Sequence, residues 1–173
     1  MATDVFLRSY HVKHKICMKE HLGNACKIAN HAVLNKNNKK LLTSKHVKQF
    51  NLPSAISNQI LRKYGRGTIK EARNVNLIVP NQTTTIKNKK TNELKKYNSI
   101  LWSDGLITIV PLKITFRWNP GRAFEKINQI EIDEEKFMIS VTYKLQKENM
   151  DATDPQSAQD DNILGIDHDA LRA

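Results

Sequence analysis

Cysteine is scarce in this chain: Cys17 and Cys26 are its two, too few for a disulfide framework. No run of about twenty apolar residues occurs, so no transmembrane helix is expected. The opening Met1-Ala2-Thr3-Asp4-Val5-Phe6-Leu7 lacks the basic region, apolar core and small-residue site of a signal peptide. A cytoplasmic protein with free thiols is the expectation. The six glycines make no phosphate-cradling or dinucleotide-binding pattern, and Gly65-Arg66-Gly67 is read as a turn. No Ser-His-Asp pattern suggests a hydrolase. His11, His14, Cys17, His21 and Cys26 supply one ligand-like spacing, His14 to Cys17, but zinc sites pair such spacings twice. No metal ligand set is assigned, and Cys26 fits as a small core residue.

What the chain does have is positive charge, unevenly placed. Residues 1–147 hold 27 Lys and Arg against 10 Asp and Glu, a net +17, whereas residues 148–173 hold one Arg against seven acids, a net −6. An excess of that size favours a polyanionic partner, most often nucleic acid, through counterion release from phosphates. The competing explanation is a Lys- and Asn-rich composition that merely solvates the surface. With 173 residues, 39% of them hydrophobic, there is room for one ordinary domain or two small ones.

Period-two alternation of Phe6, Arg8, Tyr10 and Val12 predicts a strand. Helical spacing of Met18, Leu22, Ala25, Ala29 and Ala32 follows, then a polar basic turn over 35–40 and a short helix over 45–50 capped by Thr43-Ser44. The clearest helix is Leu52 to Tyr64, with Pro53 at its start and Gly65 to end it, and 67–73 is expected to add another turn or two. From Val75 the pattern becomes β: Val75–Val79, a polar loop or long hairpin tip over 81–97, the hairpin Ile100-Leu101-Trp102 / Leu106–Val110 around Asp104-Gly105, then Lys113–Trp118, Lys126–Ile132 and Lys136–Leu145. Short strands joined by turns suggest a small antiparallel barrel. Gln146 to Asp161 reads as an acidic linker.

The last eleven residues include Ile163-Leu164-Gly165-Ile166-Asp167-His168-Asp169, an apolar run that would present a carboxylate at a strand tip. This run resembles the first motif of the RuvC-type nuclease domain in TnpB (OrfB) proteins of insertion sequences. Phe6-Leu7-Arg8-Ser9-Tyr10, the Leu-Pro-Ser…Gln-Ile-Leu-Arg helix at 52–62 and the strand Lys136–Lys144 are similar to successive parts of the N-terminal half of that family. The resemblance implies an α+β fold: a small antiparallel β-barrel (an OB-like wedge domain) with an inserted α-helical recognition lobe and a truncated RuvC/RNase H-like first strand. The corresponding boundaries are 1–13 for the first barrel strand, 14–74 for the lobe, 75–146 for the rest of the barrel, 147–161 for the linker and 162–173 for the RuvC strand. Asp169 stands where the family usually has Gly. The family's nuclease holds two Mg²⁺ ions ~4 Å apart with further carboxylates. Asp167 alone is therefore expected to be a vestigial member of an incomplete site, with no cofactor, Mg²⁺ entering only if other chains complete it.

Arg62, Lys63, Arg66, Lys70 and Arg73 crowd one helix end and its sequel, and read as a phosphate-gripping edge, the alternative being a solvated basic face. Lys87, Lys89 and Lys90 make a second cluster suited to backbone contact. The resemblance adds Ser54, Ser57 and Asn58, on the exposed side of the helix in this reading, together with Tyr97 and Asn98, as groups facing base edges of a target duplex. The resulting expectation is a protein that binds guide-type RNA, double-stranded DNA or both and lacks autonomous nuclease activity. One alternative is a fragment of an RNA-guided endonuclease completed elsewhere; another is a basic β-barrel adaptor for protein or ribosome.

Overall fold

A computed structural model describes residues 5–144. The expected Asp167 motif and the linker before it lie outside the described residues. The chain is of mixed α+β type. It runs β1 (Val5–Lys13), α1 (Lys19–Leu34), a 3-10 segment (Ser44–Phe50), α2 (Ser54–Tyr64), β2 (Leu77–Pro80), β3 (Thr83–Lys87), β4 (Leu94–Asn98), β5 (Ile100–Ser103), β6 (Leu106–Ile109), β7 (Ile114–Arg117), β8 (Lys126–Ile132) and β9 (Lys136–Lys144). Hydrogen bonding sorts the strands into a four-stranded sheet ordered β1-β9-β8-β2, the ribbon β3-β4 and the sheet β5-β6-β7.

The single closed barrel expected from the strand pattern is not formed among the described residues. Ladders stop at Pro80, at Ser99 and at the 3-10 turn Val110–Leu112, and β3 and β4 pair only with each other. Proline withholds a donor, and strands of four or five residues have little ladder to extend across such breaks. The first strand nonetheless pairs with the last, β9, although most of the chain separates them.

Compactness divides the described chain into two units, one of residues 14–80 and 131–137 and one of 5–13, 81–130 and 138–144. In the first, α1 and α2 bury small and branched side chains: Ala25, Ile28, Ala29 and Ala32 from α1, and Ile56, Ile60 and Leu61 from α2. The alanines let the helix axes approach, and each fully buried branched side chain contributes about 1.5–3 kcal/mol from surface withdrawn from water. The predicted Thr43-Ser44 cap appears as Thr43 ahead of a 3-10 segment, its hydroxyl 2.8 Å from His46 Nδ1 rather than on a backbone amide. In the same unit the turn after β8 is closed by the Asp133 carboxylate, which accepts from the Glu135 and Lys136 amides at 2.8 and 2.7 Å.

The second unit is built on aromatics and branched residues. Ile100, Ile107, Ile109 and Ile114 line the inner face of β5-β6-β7, where Ile107 pairs with both Trp102 and Phe116. The hairpin between β5 and β6 turns through Asp104 (φ 52) and Gly105 (φ 75). Two successive positive φ angles define the tight turn whose twist matches paired strands, and glycine accepts that geometry without steric cost. Tyr10 and Tyr143 share a hydroxyl–hydroxyl hydrogen bond, Phe6 stacks on Tyr143, and the Arg122 guanidinium lies 4.8 Å from the Tyr143 ring centre.

Candidate nucleic-acid interface

The basic edge begins at the C-terminal turn of α2, where Arg62 and Lys63 are exposed. Cations complement the partial negative charge of a helix C-terminus, so part of this placement has a purely structural cause. Gly65 ends the helix, as its sequence position predicts, but at φ −74 rather than in a left-handed conformation. Space is what requires glycine there: a Cβ would sit 2.6 Å from the Leu61 carbonyl oxygen and 2.9 Å from Leu42 Cδ1.

Residues 67–73 do not add the expected helical turns. They form an irregular segment whose backbone groups are taken by side chains of α1 and of the turn beyond it. Lys36 Nζ donates to the carbonyls of Gly67 (2.9 Å) and Ile69 (2.5 Å). Asn30 makes a two-way pairing with Ala72, donating from Nδ2 to its carbonyl at 3.0 Å and accepting its amide at 2.9 Å. The Cys26 thiol donates to the same carbonyl at 3.0 Å. Backbone–side-chain bonds of this kind compete with helix formation and win here because they also satisfy groups on α1. Asn30, Lys36 and Cys26 thus hold the backbone that carries Lys70 and Arg73; Asn30 and Lys36 were not singled out in the sequence, and Cys26 was read only as a small core residue. The i, i+4 spacing of Cys26 and Asn30 gives no distinct signal, because α1 carries other polar pairs four apart, Glu20 with Asn24 and Lys27 with His31.

Arg66, Lys70 and Arg73 are all exposed. Arg73 pairs with Glu71 at 3.3 Å, an ion pair so exposed that it contributes little. Arg62, Lys63, Arg66 and Lys70 have no ion pair among the described residues. Tyr64 is packed rather than presented: it is buried, its hydroxyl pKa is raised chiefly by that burial, and Lys63 Nζ lies 5.7 Å from its ring centre.

The α2 residues expected to face bases divide. Ser54 and Asn58 are exposed, and Asn58 Oδ1 accepts the Ser44 amide at 3.2 Å. Ser57 corrects the expectation of an exposed side chain. It is buried, with its hydroxyl bonded to the Leu52 carbonyl at 3.3 Å, because it falls beside Ile56 and Ile60 on the packed side of the helix. Leu52 immediately precedes Pro53, the residue at which the chain enters α2, so the hydroxyl serves the helix start.

Lys87, Lys89 and Lys90 lie on the β3–β4 hairpin, the second of the two forms expected for 81–97, which has no buried residue in either strand. Its tip is tied by Asn88, whose Oδ1 accepts the Lys90 amide at 2.9 Å, and by Asn92 at φ 58. The register pairs Thr84 with Tyr97 and Thr83 with Asn98. Tyr97 and Asn98 therefore stand on opposite faces of the ribbon and cannot address one base together. Asn98 Oδ1 accepts the Thr83 hydroxyl at 2.9 Å.

Among the described residues no three His, Cys, Asp or Glu side chains gather as metal ligands, and no helix is long and apolar enough to cross a membrane. His14 bonds through Nε2 with the Asp133 carbonyl at 3.0 Å and packs on Phe137. The class defined by fold and site is a mixed α+β protein with a basic cluster in each of its two units. Comparison with protein-family models, with curated proteins and with solved structures finds no match to the chain.

Proposed function

We propose that this chain binds nucleic acid, guide-type RNA or double-stranded DNA, through the Arg62–Arg73 edge with help from the β3–β4 lysines. The observation that carries the reading is the fixed segment 67–73, which holds Lys70, with no ion pair among the described residues, and Arg73, with only an exposed one to Glu71, on backbone tied down by Asn30 and Lys36. A surface kept basic only for solubility has no need of such support, whereas phosphate binding gains from cations placed in advance. The resemblance to TnpB supplies the finer form of the proposal: an OB-like wedge domain for the β-rich unit, a recognition lobe for the helical one and a RuvC-type strand around Asp167.

The test is salt dependence. With ~6–10 phosphate contacts, affinity for a structured RNA and for a duplex should fall ~10³–10⁵-fold between 50 and 200 mM salt. Fluorescence anisotropy on labelled RNA and DNA measures this directly. Affinity that stays flat over that range would reduce the basic edge to a solvated surface and remove the proposal.

A further inference from the structure

Beside the basic edge lies a cleft of about 370 Å³, between the α2 stripe Asn58, Leu61, Arg62 and Gly65 and the segment carrying Lys39 and Leu42. Spacings of three and four residues put the four α2 positions on one helix face. The size falls at the small end of the ~300–1,000 Å³ typical of small-molecule sites. Arg66 completes the rim.

The polar groups around it are all donors. Arg62 and Arg66 present guanidinium groups and Lys39 an ammonium, and none has an ion pair among the described residues. Asn58 has engaged its oxygen with the Ser44 amide, which leaves its Nδ2 hydrogens for a ligand. The floor is apolar, from Leu42 and the nearly buried Leu61, with Gly65 adding no side chain. Three cations and an amide donor above an aliphatic floor match a ligand with an anionic end and a flat, acceptor-bearing body.

We infer that this cleft takes one nucleoside monophosphate unit, its phosphate between Arg62, Arg66 and Lys39 and its base over Leu42 with an acceptor on Asn58 Nδ2. The inference rests on the nucleic-acid reading and adds to it a seat for a single unstacked residue, where the edge alone would grip only backbone. The same chemistry is carried by a free nucleotide and by an extruded residue of a strand.

Titration followed by ¹H–¹⁵N NMR separates the cases, with adenosine 5′-monophosphate, ribose 5-phosphate and a twelve-residue oligoadenylate as probes. The nucleotide should shift the Gly65 and Arg66 amides and bind roughly tenfold more tightly than the sugar phosphate, the effect of one base contact. Leu42→Ala should erase that preference while keeping phosphate binding, and Arg62→Gln with Arg66→Gln should weaken both small ligands. Wild-type thermal melting of each variant guards against misfolding, and the conservative Arg62→Lys should restore part of the loss. An oligoadenylate that competes at much lower concentration assigns the cleft to a strand; equal potency per nucleotide assigns it to the free nucleotide. Equal affinity for nucleotide and sugar phosphate, or shifts confined to Lys87–Lys90, overturns the inference. If the salt-dependent RNA and DNA binding persists in that case, the broader proposal stands without the cleft. Absence of binding by all three probes overturns the inference, and the broader proposal falls with it only if structured RNA and duplex DNA fail to bind as well.

Discussion

The cations around α2 stand on backbone fixed from beneath, whereas those of the β3–β4 ribbon stand on strands with no buried residue of their own. Around α2, Ile56, Ile60 and Leu61 hold the helix, and Asn30 and Lys36 hold the segment that follows. A two-stranded hairpin without a covered face is marginal in water, and its lysines keep most of their rotamer freedom. Equal charge thus carries unequal cost on binding. An arginine on fixed backbone has only its side chain to order when it meets phosphate, while a lysine on the ribbon must have its backbone ordered as well.

That contrast is broken or sharpened first by charge removal. Replacing Arg62, Lys63, Arg66 and Arg73 together with Ala should weaken RNA and duplex binding by roughly 10³-fold near 100 mM salt, since about four phosphate contacts are lost. Replacing Lys87, Lys89 and Lys90 with Ala should cost about tenfold, less than the number of charges alone implies. Anisotropy titrations of the two variants against one duplex decide the matter. A larger loss from the hairpin would mean that preorganisation is not what sets affinity here.

Stability offers the next comparison. Ile60→Ala empties a fully buried position and should cost about 2–5 kcal/mol, depending on how far α1 can close the gap. Ile86→Ala, half-exposed on the ribbon, should stay within about 0.5 kcal/mol. Urea unfolding of both variants checks the pair. Comparable losses would mean that the ribbon is covered in solution.

Much of this architecture was legible in residue types. The alanine and isoleucine periods gave α1 and α2, and Asp104-Gly105 gave its hairpin because positive φ is written into those residues. What escaped was decided at a distance. Closure of a barrel depends on which strands meet, and local alternation is silent about that. The segment 67–73 looked helical from its own composition and is not, because Asn30, some forty residues earlier, takes its backbone groups. Ser57 was misplaced by assuming one polar face for α2, although its hydroxyl returns to the chain at Leu52. The cleft was half visible: Asn58 and Arg62 lie along α2 with Arg66 just beyond it, but Lys39 belongs to a turn expected to be only polar and basic, and Leu42 follows that turn.

Two glycines of the helical unit sharpen how tightly the α2 edge is built. Gly65→Ala drives a Cβ into the Leu61 carbonyl and Leu42, which should cost about 1–3 kcal/mol and disturb the cleft. Gly23, inside α1 with open space where a Cβ would go, should instead gain about 0.5–1 kcal/mol on becoming Ala. Melting temperatures of the two variants should therefore move in opposite directions. A neutral Gly65→Ala would show that Leu42 yields readily, and so that the cleft floor is soft.

The smallest expected effect compares one buried tyrosine from each unit. Tyr64 and Tyr143 both have hydroxyl pKa values raised from 10.0, in each case first by burial. Tyr143 is raised further by its hydrogen bond with Tyr10, which holds the Tyr143 proton, against the opposing pull of Arg122 and Arg8. A raised tyrosine favours the folded state while it is protonated, so its contribution is fully present below pH 10. Above that pH the unfolded chain ionises first, and stability falls by up to ~1.4 kcal/mol per pH unit for each such tyrosine until the folded group ionises too. Tyr143→Phe removes one titrating group and should flatten the fall in unfolding free energy between pH 10 and pH 11.5. Tyr64→Phe should flatten it less, because no hydrogen bond adds to the effect of burial there. All other titrating groups are common to the two variants, which leaves the difference between their slopes as the measurement. Should the Tyr64 variant flatten the curve more, the Tyr10–Tyr143 bond would be too weak in solution to hold the proton, and the aromatic interior of the β-rich unit would be looser than that of the helical one.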